Sequence, residues 1–150
     1  MYIYYRISLQ EIQSPTTSHD YIHETLGKIQ SMNINYSEVL PKVITAMFPK
    51  NEERELIIKK LEDYGKEDWQ IEPERVRLAI LKLSYDNPGK FNDMVECACG
   101  DYRDVLYFAE TPLSGEDWDL PEDDPKKYQE LMKTDKRNYL SWIDDLIKKG

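Results

Sequence analysis

The chain reads as an all-α, single-domain protein of about six or seven short helices, and three observations lead there. Apolar residues recur at helical spacing three times between Arg75 and Pro112: Val76, Ala79, Ile80 and Leu83, then Phe91, Met94, Val95 and Ala98, then Tyr102, Val105, Leu106 and Ala109. Helix punctuation falls where those stripes begin and end, with Pro73 before the first, Asn87-Pro88-Gly89 after it, and Gly100-Asp101 between the second and third. Finally, 150 residues with 40% hydrophobic and 33% charged side chains suit one core with several amphipathic helices, each leaving a face in water. A domain of this size typically buries about 70% of the surface its unfolded chain exposes.

Taken in order, residues 2–9 alternate, with Ile3, Tyr5, Ile7 and Leu9 on one side and Tyr2, Tyr4, Arg6 and Ser8 on the other. No later segment offers a partner strand, so residues 1–14 are read as a docked arm, as the first turns of a weakly patterned helix, or as a strand added to a partner. Ser14 to Ser18 forms a turn. His19 to Met32 follows as a helix capped by Ser18, with Tyr21, Ile22, Leu26 and Ile29 inward. A second helix runs from about Ser37 to Phe48 on Val39, Leu40, Val43, Ile44 and Met47, with Pro41 near its first turn and Pro49 ending it. Asn51 caps a third, to Tyr64, whose inner face is Leu56, Ile57, Leu61 and Tyr64, and Gly65 stands in the stop position. The polar Lys66–Gln70 stretch is a connection.

The three central stripes then predict three helices packed on one another, their short links favouring antiparallel neighbours. Asp101 begins the third, and Asp104 lies near the positive end of its dipole. Within this stretch, Tyr102 reads as core and Arg103 as the partner of a neighbouring carboxylate. From Glu110 to Pro125 the periodicity stops and the charge becomes one-signed, giving a long acidic loop. Asp124 and Pro125 open a helix to about Lys133, and Thr134 or Asp135 caps a last one through Tyr139, Leu140, Ile143, Leu146 and Ile147.

Charge narrows the function. The 29 acidic and 20 basic residues give a formal net charge of −9, which repels phosphate backbones and anionic lipid, so neither nucleic acid nor membrane is expected as partner. A basic protein would be attracted. No run approaches the roughly 18 apolar residues of a membrane span, and the N-terminus lacks the marks of a signal peptide. Cys97 and Cys99, two apart on a helix, cannot pair without breaking it. These features point to a cytoplasmic, reducing location.

No residues form a catalytic or metal signature, and no cofactor is expected. His19 and His23 share a helix face at a spacing that can bind metal, but Asp20 and Glu24 do not complete the HExxH arrangement. Ser114-Gly115 is not set in a nucleophile elbow, and six glycines include no phosphate cradle. The acidic loop's stretch DWDLPEDDP (Asp117 to Pro125) lacks the glycine and terminal glutamate spacing of a calcium-binding EF-hand. The loop is nevertheless the best candidate site: Glu116, Asp117, Trp118, Asp119, Glu122, Asp123 and Asp124, with Glu110 at its start, surround one large aromatic with a single sign of charge. That combination is what a basic partner's surface would select.

The segments RVRLAILKLS (Arg75 to Ser84) and DYRDVLYFAETP (Asp101 to Pro112) resemble the core of a group of uncharacterised small bacterial proteins. The likeness spans about a quarter of the chain. It implies a bacterial source and a small α-helical protein, and carries over no catalytic residue. The functional expectation is therefore a non-enzymatic binding protein, of the kind typified by immunity proteins that inhibit basic bacterial toxins. The alternative is a helical structural or regulatory module, a homodimer joined through apolar helix faces or the N-terminal arm. An enzyme ranks third.

Overall fold

The computed structural model describes residues 34–150. The expectations for the alternating arm, the Ser14–Ser18 turn, the His19–Met32 helix and the His19/His23 pair lie outside the described residues. Within them the protein is all-α, with six α-helices: α1 (Tyr36–Met47), α2 (Asn51–Leu61), α3 (Pro73–Ser84), α4 (Phe91–Glu110), α5 (Leu120–Asp123) and α6 (Pro125–Lys149). A single 3-10 turn, Pro88–Lys90, joins α3 to α4.

Asn35 starts α1, its side chain accepting from Glu38 N at 3.3 Å. Pro41 sits at the start of the second turn of α1, one residue further in than expected, so the carbonyl of Ser37 loses its helical donor. Ser37 is exposed, and water can serve that carbonyl instead. α2 begins at Asn51 with Lys50 in the cap position, and ends at Leu61 rather than Tyr64. Its inner face is smaller than the spacing suggests: Leu61 and Tyr64 are buried, but Leu56 is 69% exposed. Among the described residues the helix is covered on one side only.

α3 is the axis of the fold. Its predicted stripe is buried at Val76, Ala79 and Ile80 and half-buried at Leu83, and Arg75, Leu78, Leu81 and Ser84 are buried as well. α4 packs along one side of it and α1 along another, while α6 closes against α1 and α4. A stripe read from one segment cannot show that a second neighbour covers the opposite face.

The second and third stripes do not form two separate helices joined by a loop. They share α4, which kinks at Asp101, where φ is −150° and ψ is 99°. The Asp101 carboxylate accepts from Arg103 N at 3.0 Å, capping the new start, and also takes the Arg103 guanidinium at 2.8 and 2.7 Å. The expected cap and ion pair are thus both present, made by one residue. Tyr102 is half-buried, its ring 6.2 Å from that of Tyr64.

α6 is one uninterrupted helix of 25 residues, where two were expected. Lys126 to Lys149 contains no glycine or proline to stop it, and Thr134 satisfies its hydroxyl by donating to Glu130 O at 3.0 Å. Asp135 is therefore not a cap. It lies inside α6 with its carboxylate reaching across to another segment, as described below.

Candidate partner-binding surface

The segment after α4 divides the expected acidic loop into two chemically different parts. Glu110 is the last residue of α4, 0% exposed, and faces inward. Arg75, 2% exposed, grips it with two parallel bonds, Nε to Oε1 at 2.9 Å and Nη2 to Oε2 at 2.7 Å. Arg75 Nη1 also donates to Glu72 at 3.1 Å. Burial raises the Glu110 carboxyl above its ordinary range, and the Arg75 fork limits the rise. The hydroxyls of Tyr36 and Tyr139 lie buried in the charge field of this pair, Tyr36 close to the Arg75 guanidinium. Burial, aided by Glu110, pushes Tyr36 up to about 12. Glu110 therefore belongs to the core and is no part of the surface.

Beyond it, Thr111 to Gly115 forms a tight turn held from two sides. Asp135 accepts from Leu113 N at 3.0 Å, Ser114 N at 2.8 Å and Ser114 Oγ at 2.7 Å. The Ser114 hydroxyl is thus committed to a structural aspartate. Tyr107 Oη donates to Gly115 O at 2.6 Å, and Gly115 N donates to Thr111 O at 2.9 Å. A β-carbon at Gly115 would stand 2.5 Å from the Tyr107 ring, so only glycine permits this approach.

The turn sets the position of Trp118, which is half-buried and stacked on Tyr107 with ring centres 5.1 Å apart and planes at 21°. Such a stack contributes about 0.5–1.5 kcal/mol beyond area burial. Leu120 is buried at the start of α5 and anchors the far end. Between these anchors the carboxylates face water: Glu116, Asp117, Asp119, Glu122, Asp123 and Asp124 are all exposed. Two also organise local backbone. Asp117 accepts from Asp119 N at 3.1 Å, and Asp124 caps α6 by accepting from Lys127 N at 3.1 Å. None of Glu116, Asp117, Asp119, Asp123 and Asp124 forms an ion pair within the described residues.

A feature the sequence reading passed over as a connection lies between α2 and α3. Trp69 there is 49% exposed and Ile71 48%. The signal was available, since Glu67-Asp68-Trp69 and Glu116-Asp117-Trp118 are the same tripeptide. What separates them is a stacking partner, which Trp118 has in Tyr107 and Trp69 lacks among the described residues.

Cys97 is buried and Cys99 half-buried, both as free thiols. Burial raises the Cys99 thiol, which points at Asp63 O at 3.6 Å. Among the described residues no group of three or more His, Cys, Asp or Glu is placed to hold a metal ion, and no helix is long and apolar enough to cross a membrane. No protein-family model, curated protein or solved structure matches the chain.

Proposed function

We propose that the chain is a non-enzymatic binding protein that engages a basic protein through Glu116, Asp117, Asp119, Glu122, Asp123 and Asp124, with Trp118 at the edge of the contact. One observation carries this reading. Five of these carboxylates are solvent-facing and unpaired within the described residues, on a backbone fixed by Asp135, Tyr107 and Leu120. Their mutual repulsion opposes folding, and a cationic surface would relieve it. A fixed backbone also reduces the ordering that binding requires. Within this class, an immunity-type inhibitor of a basic bacterial toxin agrees with the net charge and with the resemblance to small bacterial proteins. Inhibition then consists of covering the toxin's cationic substrate-binding face, which needs no chemistry from the inhibitor. A cytoplasmic setting follows from the same reading, since a cell must neutralise such a toxin where it acts.

The test is a pull-down from the source cell, followed by calorimetric titration with the basic protein captured, at low and at raised salt. Affinity should fall as salt rises, and fall again in a variant carrying D117N, D119N, D123N and D124N. Asparagine retains the acceptor oxygens used at 117 and 124, so the fold is kept. Affinity indifferent to both salt and the four amides defeats the proposal.

A further inference from the structure

The connection between α2 and α3 is built to a standard that linking two helices does not require. The Gln70 side chain is buried, and its single carbonyl oxygen accepts from three backbone amides: Gly65 and Lys66 at 2.9 Å, and Glu67 at 3.1 Å. Tyr64 Oη donates to Ile71 O at 2.8 Å. Arg77 closes the open end of α2, donating to Leu61 O at 3.1 Å and Tyr64 O at 2.7 Å. Gly65 has φ +106°, and a β-carbon there would meet Arg77 Nη2 at 2.9 Å. Glu72 occupies the left-handed region at φ 48°, directly before Pro73, a strain on the order of 1–2 kcal/mol for a side-chain-bearing residue. Its carboxylate is secured by Arg75.

This frame presents two large apolar side chains to water, Trp69 and Ile71. Singly exposed apolar residues are ordinary, but a half-exposed tryptophan and isoleucine two residues apart on fixed backbone form an anchor pair of the type that dominates protein contacts. The charge around them names the occupant. Glu62, Glu67 and Asp68 are exposed and pair with no lysine or arginine among the described residues, whereas Asp63 is already satisfied by Lys60 and Lys66 at 3.0 Å each. From Glu62 to Glu74 there are six acids against the single Lys66. An indole face bordered by carboxylates attracts a guanidinium or ammonium group, by cation–π attraction and by charge, and repels phosphate.

We propose that Trp69, Ile71, Glu67 and Asp68 form a second docking surface, which takes an arginine- or lysine-bearing segment of a partner protein with the cationic group over the Trp69 ring. It shares no residue with the Glu116–Asp124 surface and does not depend on the reading given to that surface. A second copy of this chain is the less favoured occupant, because each copy carries a net charge of −9.

The experiment uses the full chain labelled with nitrogen-15 and an acetylated, amidated Gly-Arg-Leu-Arg-Gly peptide as probe at low salt, followed by the indole and backbone amide resonances. The expected result is a saturable shift of the Trp69 indole N–H, with the Trp118 indole unmoved. The E67Q/D68N variant should bind at least about fivefold more weakly, as should a peptide with citrulline in place of both arginines. The variant carrying D117N, D119N, D123N and D124N should bind the probe as the unaltered chain does, which separates this surface from the other. Any of four results overturns the proposal: no shift at 10-millimolar-order probe, on the order expected for one exposed cation–π contact; a shift centred on Trp118; equal binding of the citrulline peptide; or a dimer in light scattering that W69A dissolves.

Discussion

Replacing Glu110 by glutamine tests whether the acids of the segment after α4 belong to two classes. The change keeps the side-chain volume and one acceptor oxygen but removes the charge opposite Arg75, whose guanidinium is 2% exposed and bonded to Glu110 at 2.7 and 2.9 Å. Removing one partner of a buried pair costs about 3–5 kcal/mol, because it leaves the other charge uncompensated. Glu72, still 3.1 Å from Arg75 but partly exposed, offsets some of this, which leaves about 2–4 kcal/mol. With a urea slope of about 2 kcal/mol per molar, the unfolding midpoint should drop by roughly 1–2 M. Glu116→Gln, six residues along and exposed, should stay within about 0.5 kcal/mol of the unaltered chain. A double variant, Arg75→Met with Glu110→Met, removes both charges and should recover more than half of the loss, since a buried pair is often replaceable by packed apolar groups. Equilibrium unfolding followed by circular dichroism measures all four proteins. Equal midpoints for Glu110→Gln and Glu116→Gln would refute the reasoning.

Two further outcomes follow from the same geometry. Burial, reinforced by the charge of Asp101, raises Asp104 from the ordinary 3.8 to about 6. The folded state then holds this proton more tightly than the unfolded state does, so the contribution to stability is full below about pH 4 and is lost as pH rises through 6. At pH 8 the half-buried charge, partly screened by solvent, opposes folding by on the order of 1–2 kcal/mol, so Asp104→Asn should gain stability relative to the unaltered chain at pH 8 and much less at pH 4.5. A stability difference that does not change with pH, measured by urea unfolding, would contradict this. Asp135→Asn can accept with only one oxygen where the carboxylate serves Leu113 N, Ser114 N and Ser114 Oγ, at a cost of about 1–3 kcal/mol. Amide hydrogen exchange should quicken at Leu113 and Ser114, and Trp118 fluorescence should shift to the red as the Tyr107 stack loosens. Unchanged protection at both amides would show that Asp135 does not hold the turn.

The central helices were legible because their signals are local. Val76, Ala79 and Ile80, Phe91 to Ala98, and Val105 to Ala109 lie on the core faces the spacing assigns them. Pro73 stands at the helix start its backbone preference favours, and Gly65 takes its positive φ in the turn beyond α2. The misreadings share a cause. Asp135 and Thr134 look like caps in isolation, yet with no breaker near them α6 runs through, and the Asp135 carboxylate answers a demand from residues 113 and 114, which sequence distance hides. Gly100-Asp101 looks like the end of one helix and the start of another, and locally it is, but the chain bends there without reversing. Leu56 fits the inner stripe of α2, yet it is 69% exposed.

The amino-acid order by itself determined the helical class, the bounds of α1, α3 and the first half of α4 to within a residue or two, and the crowding of like charge around two tryptophans, because periodicity, caps and composition act over a few residues. Only the tertiary structure decided which of those charges and rings are surface. Glu110 is withdrawn because Arg75 waits for it across the core, and Trp118 folds back because Tyr107 offers a face. Trp69 stays half-exposed because no ring among the described residues stacks on it. Burial is a property of what lies opposite a residue, and that neighbour comes from another part of the chain.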